Sequence, residues 1–119
     1  MAEERPPRGD RLKGRDSFKR LMREGKSVED ALLVIRYLPL NENATSRRVG
    51  VTVSRNCGKA VIRNRLRRRL REIYRRRRDS LPPAGEFLLI AKSEAIDAPF
   101  PDLDRSYQKL SDELVKKSS

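Results

Sequence analysis

Apolar residues recur along this chain in blocks whose spacing predicts six elements. In residues 16–24, Phe18, Leu21 and Met22 fall at helical spacing. Asp16 or Ser17 can cap that helix, and Gly25 is a natural stop. Residues 31–38 are rich in Leu, Val, Ile and Tyr and end at Pro39, which predicts a strand. Val49-Gly50-Val51-Thr52-Val53-Ser54 alternates, the mark of a strand with one buried face. The polar loop 41–46 lies between these two strands, so they are expected to pair antiparallel across it. Residues 59–76 carry Ile62, Leu66, Leu70 and Ile73 at helical spacing, and Phe87-Leu88-Leu89-Ile90-Ala91 is a short buried strand within 86–92. Pro99 and Pro101 mark a loop, after which Asp102 or Asp104 can open a last helix with Tyr107, Leu110 and Leu114 on one face and Lys116 and Lys117 at its end. The order helix, strand, strand, helix, strand, helix predicts an α+β fold, a two-layer sandwich with a small, mostly antiparallel sheet. Residues 1–10, with Pro6-Pro7, read as a flexible tail, and 11–119 as a single domain.

Charge sharpens the picture. The formal net charge of +12 calls for a polyanionic partner, and nucleic acid is the commonest. No segment has the roughly 20 apolar residues needed to span a bilayer, and no apolar signal-like stretch opens the chain, so no membrane and a cytoplasmic location are expected. With one cysteine, Cys57, there is no internal disulfide; with no histidine, imidazole catalysis and Cys/His zinc sites are excluded. No carboxylate cluster stands out, so neither a metal site nor a catalytic residue is expected on the protein. Cys57 is expected to be a small buried residue without chemistry, and Tyr37 and Tyr107 core residues.

The basic charge is concentrated. Between residues 59 and 78, eleven of twenty positions are Lys or Arg, and Glu72 is the sole acid. At 100° per residue, Ile62, Leu66, Leu70 and Ile73 share an arc of roughly 80°. Asn64, Arg68, Arg71 and Arg75 point away from it, Arg67 and Arg78 lie beside that outer face, and Arg63 and Arg65 take opposite flanks. One helix can therefore hold to a core by one stripe and present arginines by the other. Like charges at i,i+4 oppose helix formation, and phosphates would neutralise them. Arginine's planar fork also grips phosphate bidentately. Charge alone does not separate RNA from DNA.

The run KAVIRNRLRRRLRE, residues 59–72, with Arg63-Asn64-Arg65 at its centre, closely resembles the signature of the bacterial ribonuclease P protein family. RVGVTVSRNCGKA (48–60), RLKGRDSFKRLMREGKSV (11–28) and FLLIAK (87–92) resemble the family's other elements in the same order. The resemblance implies a left-handed βαβ crossover through the basic helix. It also implies a division of labour. A large RNA subunit, using magnesium held mainly by RNA, removes the 5′ leader of precursor tRNA, and the protein binds that RNA and the leader as a monomer, one per RNA. Two surfaces follow by correspondence. Arg63, Asn64, Arg65, Arg67, Arg68 and Arg71, with Arg75 beyond them, would face the catalytic RNA. A cleft between the first helix and the sheet would hold the leader, with Phe18 and Met22 on the helix, Val34 and Arg36 on its floor and Arg55 at its rim. Met22 and Arg36 stand where relatives often carry aromatic residues, so Arg36 would supply a guanidinium face or a phosphate contact instead. The competing reading of Phe18 and Met22 is ordinary core. Two other functions share the basic helix: a structural RNA-binding protein with no part in cleavage, and a DNA-binding regulator. Neither needs a single-strand cleft.

Overall fold

A computed structural model describes residues 15–39, 47–82 and 84–118. The 1–10 tail and the 41–46 loop lie outside them. Three helices and four strands follow in the order α1 (Arg15–Glu24), β1 (Lys26–Glu29), β2 (Leu33–Leu38), β3 (Arg47–Val53), α2 (Ala60–Arg76), β4 (Gly85–Ala91) and α3 (Phe100–Ser118). The strands form one sheet in the order β1-β2-β4-β3. β1 with β2 and β2 with β4 are antiparallel, while β3 and β4 are parallel neighbours joined through α2.

The α+β fold agrees with the expectation, but four details do not. The two strands flanking the polar loop do not pair. β4 enters between them, with Ile35 opposite Leu89 and Leu89 opposite Val51. The reason is burial: nearly every β4 residue is buried, as the most apolar strand of the chain requires, and the centre of the sheet is where both faces are covered. The partner β2 does acquire across a short connection is β1, which sequence reasoning missed. Lys26-Ser27-Val28-Glu29 buries only Val28, so four residues carry one apolar signal. Finally, α3 begins at Phe100, with Pro101 inside its first turn, where the missing N–H has no helical partner to lose. At the other end of the chain α1 is already helical at Arg15, so Asp16 and Ser17 lie within its first turn instead of capping it.

Alternation assigns the sheet's two faces. Leu33, Ile35, Tyr37, Val49, Val53, Phe87, Leu89 and Ala91 join Leu66, Leu70, Ile73 and Tyr74 of α2 and Leu103, Tyr107, Leu110 and Leu114 of α3 in the main core. Tyr37 stacks on Phe87 at 4.9 Å between ring centroids. Each fully buried Leu or Ile contributes about 1.5–3 kcal/mol. The opposite face carries Val34, Arg36, Leu88 and Ile90, and α1 packs there on β2 and β4. Leu21 and Leu88 are completely or almost completely buried yet stand apart from the main core, a second small cluster under α1.

Two glycines are needed at the joints of these layers. A Cβ on Gly25 would lie 2.5 Å from the Leu21 carbonyl oxygen and 3.1 Å from that of Tyr37, so only glycine lets α1 end against β2. Gly58, with φ at +83°, turns the chain into α2 in a conformation costly to other L-residues. Asp30 fastens α3 to the β1–β2 turn. It accepts hydrogen bonds from the backbone amides of Leu32 (2.9 Å) and Leu33 (3.0 Å) and from the Ser106 hydroxyl, with Lys109 Nζ 3.5 Å away. Burial alone would raise its carboxyl, but these donors and Lys109 hold it below the ordinary value.

Candidate nucleic-acid interface

α2 realises both of its stripes. Leu66, Leu70, Ile73 and Tyr74 have no exposed surface, whereas Asn64, Arg65, Arg68, Arg75 and Arg76 are exposed. Arg63, Arg67 and Arg71 are half-buried along one flank, and Ile62 packs only at the edge of the core. The arginines are not equivalent, and the difference lies in their partners. Arg65 and Arg68 have no hydrogen bond or ion pair among the described residues. Arg67 donates to Asn64 Oδ1 at 2.9 Å, which orients both side chains outward. Arg63 leaves its Nε buried and unpaired. Arg75 and Arg76 instead converge on Glu72, with Arg76 Nε 2.8 Å from its carboxylate. Hydrogen bonds from these two arginines hold Glu72 below its usual range, so it is anionic at neutral pH.

Other arginines hold the fold together, which charge counting could not reveal. Arg77, just past the helix, donates to both Asp104 oxygens (2.6 and 2.8 Å) and to Gln108 Oε1 at 2.7 Å, fixing α2 to α3. Arg69 reaches the Ala98 carbonyl at 3.2 Å, and Arg47 the Pro82 carbonyl at 2.8 Å. No local sequence signal marks these contacts, because each partner is a backbone carbonyl or a residue far away in the chain.

The second surface lies on the other side of the sheet. Phe18 and Met22, one helical turn apart on α1, are 41% and 42% exposed, which removes the ordinary-core reading for both. Strand pairing aligns Val34, Ile90 and Thr52 in one row across β2, β4 and β3. All three are half-buried, while Leu88 in the adjacent row is covered. The floor beside α1 is therefore apolar and partly open. Arg55 is exposed in the short turn that follows β3. Arg20, reaching from α1, closes an ion pair on the buried Glu86 at 2.9 Å.

Arg36 joins the cleft in an unexpected manner. One terminal nitrogen donates to the carbonyls of Met22 (2.7 Å) and Gly25 (2.9 Å), and Nε to that of Leu21 (3.3 Å). Met22 and Gly25 lie where the end of α1 runs out of amide donors, and the Leu21 carbonyl, which already accepts from the Gly25 amide at 2.9 Å, takes Nε as a second donor, so Arg36 caps the helix and ties it to the sheet. Its donors are directed into the protein. Cys57 is wholly buried, Sγ 3.9 Å from the Ala91 carbonyl, and burial pushes its thiol up, away from reactivity.

A compact α+β domain that exposes arginines along one helix and, on the other face of its sheet, sets Phe18 and Met22 beside a partly open apolar row is built as a nucleic-acid-binding protein. The family model for ribonuclease P matches residues 7–115. The chain is 39% identical over 100 residues to the ribonuclease P protein component of Clostridioides difficile, covering 83% of this chain and 86% of that one. It is 37% identical to the Dictyoglomus thermophilum component, covering 92% and 86%. Its fold superposes on the ribonuclease P protein from Thermotoga maritima with a TM-score of 0.75 at 29% identity, over 87% of this chain and 96% of that one. The chain belongs to the ribonuclease P protein family.

Proposed function

We propose that the chain, as the protein component of ribonuclease P, binds the catalytic RNA through the outer face of α2 and the single-stranded 5′ leader of precursor tRNA in the cleft beneath α1. The observation that carries the reading is the two-sided build of α2. From Leu66 to Tyr74 its apolar stripe is fully buried, and Arg65 and Arg68 project into solvent without acidic partners among the described residues. Arg63, Asn64, Arg67 and Arg71 extend that surface, and Arg75 borders it through its pair with Glu72. In the cleft, Phe18 and Met22 offer a stacking wall, Val34 the floor and Arg55 a phosphate contact at the rim. Arg36 acts there by holding α1 in place.

The protein in this reading supplies binding, and the RNA supplies the chemistry of phosphodiester hydrolysis. Among the described residues no group of three or more His, Cys, Asp or Glu side chains could hold a metal. Glu72, on the arginine helix, is engaged by two arginines, and in this reading magnesium is held mainly by the RNA. One protein per RNA and a cytoplasmic location complete the proposal. The test is reconstitution: the purified protein should restore leader removal by a bacterial ribonuclease P RNA at magnesium concentrations too low for the RNA alone, and should cleave nothing without it. No stimulation at low magnesium would overturn the reading and favour an RNA-binding protein with no part in cleavage.

A further inference from the structure

We infer that the groove between α2 and the start of α3 receives one unpaired nucleotide of the RNA, its base against Phe100 and its phosphate between Arg65 and Arg68. The inference rests on the reading of α2 as the face that binds the catalytic RNA, and it adds a base site beside the outer arginine row, sharing Arg65 and Arg68 with it, and apart from the leader cleft.

The groove has a volume of about 260 Å³ and is lined by Arg65, Arg68, Arg69, Glu72 and Phe100. That is smaller than the roughly 300–1,000 Å³ of sites for drug-sized molecules. One base suits it; a stacked duplex does not. Each wall is held in place before any ligand arrives. Phe100 packs partly on the core, and the Arg76 guanidinium sits 5.5 Å from its ring centroid. Arg76 is itself held by Glu72. Arg69 is fixed on the Ala98 carbonyl, and the Pro99 carbonyl accepts from the amides of Asp102 (3.0 Å) and Leu103 (3.3 Å), which makes the turn into α3 rigid. Against this frame Arg65 and Arg68 are exposed and have no partner among the described residues.

The chemistry gives the occupant an orientation. Two unpaired guanidinium groups at the mouth suit a phosphate. Glu72 on the wall is already engaged by Arg75 and Arg76, so the free cations of the groove stand at its mouth; the phosphate stays there and the base goes in. An aromatic side chain beside free arginines is the composition that stacks unpaired bases.

The chain has no tryptophan, so Phe100→Trp introduces a single tryptophan, excited selectively over the three tyrosines, at the site. Titration with a bacterial ribonuclease P RNA should quench its emission saturably. Phe100→Leu, which keeps an apolar residue against the core, should weaken binding of that RNA by about 5- to 150-fold at fixed salt, the range of one lost stacked base. Unchanged emission while the RNA saturates the protein, or wild-type affinity in Phe100→Leu, overturns the nucleotide site. Arg65→Ala and Arg68→Ala separate the two levels. If they weaken RNA binding while the tryptophan stays silent, only the nucleotide site falls. If they bind like the wild type, the reading of α2 fails and takes the site with it.

Discussion

Arg36→Ala removes the clasp between α1 and the sheet, and the structure sets the size of the effect. Two short hydrogen bonds, to Met22 and Gly25, and a longer one to Leu21 are lost. A bond from a charged donor contributes about 1.5–3 kcal/mol, so simple addition of the two short ones would give about 3–6. Arg36 is half-buried, however, and water can reach the freed carbonyls, so a net loss of about 1.5–3 kcal/mol is expected. The loss should be local. α1 has ten residues, too few to stay helical once undocked, and its anchor is the small cluster of Leu21 and Leu88 outside the main core. Amide exchange in α1 should therefore accelerate by about 10- to 150-fold while β4 amides change little. Binding of precursor tRNA should weaken relative to mature tRNA, and affinity for the catalytic RNA should hold. If α1 exchange is unchanged in Arg36→Ala, or if α1 and β4 accelerate together, the side chain is not a local clasp. If catalytic-RNA affinity falls most, Arg36 has been assigned to the wrong surface.

Phe18→Leu keeps an apolar side chain but removes the π face, and should weaken the holoenzyme's affinity for precursor tRNA by about 5- to 150-fold with little change for mature tRNA; equal losses for both would return Phe18 to a supporting role. Arg68→Ala should weaken catalytic-RNA binding and leave the melting temperature near wild type, whereas Leu66→Ala should cost about 2–5 kcal/mol of stability in thermal or urea unfolding; the reverse pattern would invert the faces of α2. Asp30 and Asp104 have carboxyls held down by their partners, Asp30 by the Ser106, Leu33 and Leu32 donors against burial, and Asp104 by Arg77. Their contribution is complete above the unfolded value of about 4 and is lost as pH falls through the lower folded values. The melting temperature should drop below about pH 4, and Asp30→Asn should be less stable than wild type at pH 7 while converging on it in acid; parallel pH profiles would show that Asp30 carries no such linkage.

Legibility of this protein from its sequence follows the range of the interactions involved. The two stripes of α2 could be read in outline, because both lie within one regular helix and 3.6-residue periodicity sorts them; their edges could not, since Arg71, expected to point away, is half-buried, Ile62 reaches only the edge of the core and Tyr74 joins the buried stripe. β4 could be read as a buried strand from its unbroken apolar run, and Phe18 and Met22 could be placed together because i and i+4 share a helix face. The ordered motifs around Arg63-Asn64-Arg65 carried the family resemblance for the same reason: they are local patterns.

Pairing and partnership were decided only by the tertiary structure. Nothing local tells β2 that its neighbours are β1 and β4 instead of β3; that follows from which strand most needs cover on both faces. β1 becomes a strand because β2 offers it an edge, with Val28 alone turned inward. The arginines divide in the same manner. In sequence Arg36, Arg69 and Arg77 resemble Arg65 and Arg68, since all carry the same charge and the same fork. In space the first three meet carbonyls and carboxylates 11 to 31 positions away and become structural, while the last two meet no partner among the described residues and keep their charge open to a polyanion. Charge is a property of composition; whether it is already neutralised depends on distances that only the folded chain establishes.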